Sequence, residues 1–226
     1  MRPWTLIDSS EIPADGGELR LYQRGEEYSI MIVGGGELMN SRLHGSEDAL
    51  AELGCRHLID QPHPRVLIGG LGMGYTLAAA LGQLGPDGEV IVAELVPAVV
   101  TWNREHLGAF AGQPLEDPRT SVSEGDVALL IRKSRAAFDA ILLDVDNGPE
   151  GLTHRENNWL YTTSGLEAAY DALRPDGVLA VWSAGPDAAF SERLRRVGFL
   201  ADERRVRAHR PGKGATHTIW VAQRGS

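Results

Sequence analysis

Beyond Pro64 the chain alternates between two patterns. Short apolar runs, RVLIG (65–69), EVIVAE (89–94), RTSVSEG (119–125), FDAILLD (138–144) and GVLAVWS (177–183), are separated by stretches with apolar residues at helical spacing. The runs read as strands, and strands alternating with helices build a parallel sheet with crossover helices. After a helix over about Asp187 to Val197 the alternation stops. GFLADERRVRAHR and ATHTIWVAQ follow one another with only a PGKG turn between them, which predicts an antiparallel hairpin added to the sheet. Upstream the pattern is shorter. From Glu18 to Ser41, ELRLYQRGEEYSIMIVGGGELMNS has partly alternating apolar positions broken at Gly25 and at Gly34, Gly35 and Gly36, and predicts two or three small antiparallel strands. Ser46 is placed to cap a helix with Ala49, Leu50 and Leu53 on one face, and QPHP (61–64) ends it.

The expected fold is α/β: a doubly wound, mostly parallel seven-stranded sheet with a C-terminal antiparallel hairpin, preceded by a small N-terminal β segment. Residues 1–61 would form that appendage with its linking helix, and residues 62–226 the main domain. A chain of 226 residues, 42% of them hydrophobic, can bury one substantial core. The net charge of −9 opposes general nucleic-acid binding, which rests on cations neutralising phosphates. The arginines between 193 and 210 are interleaved with acids, as on a solvated face. Cys55 is the only cysteine, so no internal disulfide forms, and its setting AELGCRHL suits packing. The seven histidines show no metal-ligand spacing, and no G-x-S-x-G elbow is present. MRPWTLIDSS lacks the features of a secretory leader, and no apolar run reaches the roughly 20 residues that span a bilayer. The expectation is a cytoplasmic protein that uses no metal and binds no membrane.

Candidate chemistry gathers at the strand ends, because a ligand of an open parallel sheet sits beyond the carboxyl ends of its strands. The first strand of the main domain runs into Gly69, Gly70, Gly72 and Gly74, the second ends in Glu94 with Leu95 following, the third is followed by Gly125 and Asp126, and the fourth ends in Asp144 with Asp146 just beyond. The glycines let backbone approach a ligand closely. A carboxylate 24 residues beyond Gly70 can accept hydrogen bonds from both ribose hydroxyls, which implies an adenine-type nucleoside. Each acid also has a plainer reading: Glu94 and Asp126 as caps of the helices that follow, Asp144 as a turn residue. The dinucleotide fingerprint G-x-G-x-x-G fails here, since the loop reads Gly70-Leu71-Gly72-Met73-Gly74-Tyr75 with tyrosine in the last position.

Three segments, VLIGGLGMG (66–74), DAILLDVDNGP (139–149) and WLYTTSGLEAAYDALRPDGVLAVW (159–182), together with the preceding β segment, resemble the spermidine synthase-like group of the class I S-adenosylmethionine-dependent methyltransferase fold over roughly Leu38 to Ser183. The resemblance implies that Gly70, Gly72 and Gly74 line a donor, S-adenosylmethionine or its decarboxylated form. Glu94, with Leu95 beside it, would hold the ribose, and Gly125 and Asp126 the adenine. Asp144 and Asp146 would be the acids at a small amine acceptor, with Leu160 and Tyr161 bordering its pocket; Trp159 and Tyr161 could wall that pocket, although aromatic side chains in such a segment more often belong to the core. It further implies alkyl transfer in polyamine-type chemistry and a possible homodimer. The chain departs from the group at three places. Gly72 stands where the loop commonly carries an aspartate that seats the aminopropyl end of the donor. RLHGSEDAL, with Arg42, His44, Glu47 and Asp48, does not match the usual tyrosine-histidine-glutamate cluster, and the acceptor loop from Asp144 to Pro149 is shortened. The first departure tilts the expectation toward methyl over aminopropyl transfer. The alternative is a nucleoside-binding sensor or partner protein without catalysis.

Overall fold

The computed structural model describes residues 2–13, 17–145, 157–209 and 213–225. The N-terminal part is an antiparallel meander of β1 (Thr5–Glu11), β2 (Glu18–Arg24), β3 (Glu27–Ile32) and β4 (Gly36–Asn40). Three of these strands match the sequence pattern; β1 is an addition. Its sequence, TLIDSSE, is mostly polar and exposed, so it lacks the apolar alternation that announces a half-buried strand. It exists through pairing with β2, from Thr5 opposite Gln23 to Glu11 opposite Glu18.

Helix α1 (Gly45–Cys55) links the meander to the main sheet and packs against that sheet's last strands. Ser46 does not cap it. His44 is the N-cap residue, and Ser46 lies inside the first turn, buried, its hydroxyl donating to Glu47 Oε2 at 2.7 Å. Then follow β5 (Arg65–Gly69), α2 (Tyr75–Leu81), β6 (Glu89–Glu94), α3 (Pro97–Trp102), β7 (Thr120–Glu124), α4 (Val127–Lys133), β8 (Phe138–Leu143), α5 (Thr163–Ala172), β9 (Leu173–Ser183), α6 (Ala188–Val197), β10 (Leu200–His209) and β11 (Lys213–Gln223). The sheet order is β10-β11-β9-β8-β5-β6-β7, parallel from β9 to β7, with β11 inserted antiparallel between β9 and β10.

The burial explains the sequence pattern. Helices cover both faces of the central strands, so β8, FDAILL, is buried at every residue and reads as a continuous apolar run. The edge strand β7, TSVSE, is polar and partly exposed, as suits a strand with one open side. β9 begins four residues earlier than GVLAVWS, because Leu173 pairs with Phe138 across a register shift and Asp176 takes a left-handed φ of 64°. No helix among the described residues is long and apolar enough to cross a membrane.

Candidate active site

Backbone hydrogen bonds carry the central ladder past the strand ends. Gly70 N–H donates to Ala93 O at 2.8 Å, Asp144 N–H to Gly69 O at 2.9 Å, and Gly125 N–H to Glu94 O at 2.8 Å. These bonds draw four loops into one crevice beside the β5–β8 junction, where the strand order reverses and ligands of such sheets bind. Gly70, Gly72, Glu94, Leu95, Gly125, Asp126 and Asp144 all line the resulting cavity. Its roof is the meander, through Ile12, Leu19, Ile30, Ile32, Leu38 and Met39. The first residues of the chain therefore close a cavity built by the middle of it.

The glycines differ in what they do. At Gly70, φ is 89° and a Cβ would overlap the backbone carbonyl of Asp144, which cannot step aside. At Gly72, φ is 53° and a Cβ would come within 2.7 Å of Met39 Cε, the tip of a flexible side chain. Gly74 lies outside the cavity lining. It is the N-cap of α2 with φ of 82°, and a Cβ there would sit 3.1 Å from Pro114 Cγ and 3.2 Å from Asn103 Oδ1. Its small size serves packing against the segment after α3.

Glu94 is almost wholly buried. Its Oε2 accepts Leu71 N–H at 2.8 Å and its Oε1 accepts Val96 N–H at 2.9 Å. Burial raises its pKa while these backbone donors oppose the rise. The backbone N–H groups of Gly72 and Leu95 act on the same carboxylate, so it is held at the floor of the crevice by the turn that follows β5. Val96, not Glu94, is the N-cap residue of α3. Asp126 does cap α4, through Ala128 N–H at 2.8 Å, and lines the cavity as well. The two readings of that residue are compatible.

Asp144 receives a hydrogen bond from Thr76 Oγ1 at 2.7 Å. Burial first, then the charge of Glu47, push its pKa up to about 7. Glu47, from the first turn of α1, lines the same cavity, and burial raises its pKa too. Two carboxyls in one largely apolar cavity repel when both are ionised, and either a proton or a cation relieves the repulsion. A cationic amine fits that requirement.

Besides Gly74, three of the sequence candidates lie elsewhere. Trp159, Leu160 and Tyr161 lie on the short helical turn before α5 and pack into the core on that side of the sheet, outside the cavity lining. Arg132 lies over the Trp159 ring at 3.8 Å, and Tyr161 packs edge-on to Phe190. The run of apolar and aromatic side chains is explained by core burial. Asp146 lies outside the described residues. In the other direction, sequence reasoning left Glu47, Met39, Val96 and Trp182 unassigned, and all four line the cavity. Glu47 carries no distinguishing signal, since an acid in a helix's first turn ordinarily complements the helix dipole. Its neighbour Asp48 pairs with His44 at 2.9 Å, and the His44 ring stacks on Tyr75. Among the described residues no group of histidine, cysteine or acidic side chains is arranged to hold a metal. The Cys55 thiol is buried and its pKa pushed up to about 12, as an inert packing group.

Comparison with known proteins agrees with this architecture. The family described as the spermine/spermidine synthase domain matches residues 18–186. Polyamine aminopropyltransferase 2 of Pseudomonas aeruginosa is 31% identical over 149 residues, covering 61% of this chain and 40% of that protein. Polyamine aminopropyltransferase 1 of Streptomyces coelicolor is 32% identical over 127 residues, covering 55% of this chain and 23% of that protein. The chain thus spans two fifths or less of the length of these curated relatives. Spermidine synthase from Thermotoga maritima superposes with a TM-score of 0.76 at 20% identity, over 97% of this chain and 72% of that one, and shares the fold. The matched stretch runs from β2 through every strand end that lines the cavity, and the chain belongs to the spermine/spermidine synthase family.

Proposed function

We propose that the protein transfers an aminopropyl group from decarboxylated S-adenosylmethionine to a small amine. The observation that carries this reading is the charge of the cavity. Glu47, Glu94, Asp126 and Asp144 line it, and among the described lining residues there is no lysine, arginine or histidine. Among these residues the carboxylate of intact S-adenosylmethionine would find no cation to pair with, and an unpaired buried charge is costly. The decarboxylated donor carries no such group. Family membership supports the same choice over the methyl transfer that Gly72 alone suggests.

In this reading the donor nucleoside lies across Gly70 and Gly72, its ribose on Glu94 and its adenine beside Leu95, Gly125 and Asp126. The sulfonium then points toward Asp144. A sulfonium is already a good leaving group, so the protein's work is alignment and proton removal. Asp144 orients the amine, and with its pKa near 7 it can accept a proton from it.

Small diamines, polyamines and amino-acid amines, offered with each donor, test the proposal through the by-product. Methylthioadenosine reports aminopropyl transfer and S-adenosylhomocysteine reports methyl transfer; the first is expected. Asp144→Asn should lower turnover by about 10²–10⁴ while donor affinity changes little. Tight donor binding with neither by-product from any amine would replace the transferase by a nucleoside sensor.

A further inference from the structure

We propose that Ser46 and His217 form a proton relay that empties the acid pair after each transfer, with Glu47 as its inner end. The proposal rests on the transferase reading above. Its need follows from the balance of that reaction. An ammonium acceptor and a sulfonium donor become a secondary ammonium and a neutral thioether. The nitrogen lone pair forms the new N–C bond, the electrons of the broken C–S bond stay on sulfur, and one proton is released per turnover. That proton comes off the attacking nitrogen before its lone pair is free; Asp144 takes it and passes it to Glu47, which lines the same cavity and whose charge acts on Asp144. A cavity roofed by aliphatic side chains must pass the proton on before the next ammonium can be deprotonated.

A connected route leaves from Glu47. Its Oε2 accepts from Ser46 Oγ at 2.7 Å, and Ser46 Oγ lies 3.1 Å from Nδ1 of His217 on β11. Ser46 is buried, and it is free for this role because its hydroxyl is not spent on capping α1. His217 is half-buried, with its ring edge against Trp182 at 4.7 Å between centroids. The three groups thus run from the cavity wall, between α1 and β11, to a ring that reaches solvent. A hydroxyl donates and accepts at once, and an imidazole can take a proton on one nitrogen while releasing one from the other. A proton on Glu47 passes to Ser46 Oγ as the serine's own hydrogen moves to His217 Nδ1, and the proton on Nε2 goes to water. Burial lowers the His217 pKa and so favours the neutral ring, which is left as its Nδ1–H tautomer; exchange of that hydrogen with water as the half-exposed ring rotates restores the Nε2–H tautomer before the next passage.

Among the described residues the surrounding ionisable groups do not offer a second path of this kind. On α1, Asp48 is paired with His44. On α2, Tyr75 donates to Ser41 O, and its phenol is pushed up to about 12 by burial and by the charges of Glu47 and Asp48. Beyond β8, Asp144 is tied to Thr76. β9 contributes Trp182, and β10 sets Val206 opposite His217, between Arg205 and Arg207.

The test compares wild type, His217→Phe and Ser46→Ala with the amine identified above. At neutral pH both variants should lose at least ten-fold in kcat, with donor affinity and acceptor KM within two-fold of wild type. Free imidazole should restore turnover to His217→Phe, and Ser46→Thr, which keeps the hydroxyl, should recover more activity than Ser46→Ala. The kcat of His217→Phe should also rise with buffer concentration, which wild type should not show. Unchanged kcat in both variants overturns the relay and leaves the transferase reading standing. A loss of kcat that tracks a loss of donor affinity and ignores imidazole overturns it as well, since a structural role does that. Wild-type protein inert toward every amine overturns the transferase reading, and the relay with it.

Discussion

Glu94 and the Gly72–Met39 contact are single side chains whose substitution separates binding from folding. Glu94→Gln keeps the side chain's shape but sets an amide N–H₂ against backbone N–H groups that the carboxylate now accepts, Leu71 or Val96. Charge-assisted hydrogen bonds are worth roughly 1.5–3 kcal/mol, so nucleoside affinity should fall about ten-fold or more, measured by calorimetric titration with methylthioadenosine. Unchanged affinity in the folded variant would remove the ribose role. At position 72 an added side chain meets Met39 Sδ at 2.8 Å, so Gly72→Asp alone should be destabilised by that contact and by its left-handed φ. Combined with Met39→Ala the aspartate has room, and preference for the decarboxylated donor should rise. An unchanged donor ratio in the double variant would show that this loop does not choose the donor.

At the scale of elements, β8 shows that one strand has two different ends. Asp144 at its carboxyl end faces the cavity. Asp139 near its amino end accepts from Gln61 Nε2 at 2.8 Å, Arg65 N–H at 2.7 Å and Arg174 Nη1 at 2.7 Å, tying the approach to β5 and the start of β9 together. Asp139→Ala leaves the Arg65 backbone N–H without its acceptor and releases the half-exposed Arg174 guanidinium, so it should cost roughly 2 kcal/mol in denaturant unfolding while donor affinity in the folded protein stays unchanged. The sequence run DAILLD displays both aspartates alike, and only the direction of the strand tells them apart. That direction is legible in the sequence, because a parallel sheet places ligands at carboxyl ends, and Glu94, Asp126 and Asp144, all at such ends, line the cavity. Strands β5, β6 and β8 were legible for a related reason: burial on both faces writes itself as unbroken apolar runs. β1 was not, since its stability comes from pairing rather than burial. Trp159 and Tyr161 admitted two readings, because aromatic side chains bury equally well in a core and in a pocket, and the structure packs them in the core. Glu47 was hidden because its position depends on how α1 lies on the sheet, a tertiary relation that no local pattern encodes.

For the whole molecule, the acid pair makes stability depend on pH with a definite sign. Asp144 holds its proton in the folded state up to about 7, whereas an aspartate in the unfolded chain releases it near 4. Between those values the folded state binds more protons, so this group's contribution to stability is fully present below about pH 4 and is lost as pH rises through about 7. Glu47 acts in the same direction. Asp144→Asn is neutral throughout, so its melting temperature should exceed that of wild type at pH 8, with the difference shrinking toward pH 4.5. A difference of equal size at both pH values would show that Asp144 is not a buried acid in solution.

The insertion of β11 between β9 and β10 has a consequence for how the two halves of the cavity loosen. The nucleoside wall hangs from β8, β5, β6 and β7, the half of the sheet away from the hairpin, whereas Glu47 is held by a helix resting on the hairpin side. Local opening of β10 and β11 would therefore release the acceptor acid while the nucleoside site stays intact. Amide exchange should record this as two tiers of protection, the slower one tightened by nucleoside alone and the faster one, along the hairpin and the first turn of α1, tightened only when an amine is bound as well.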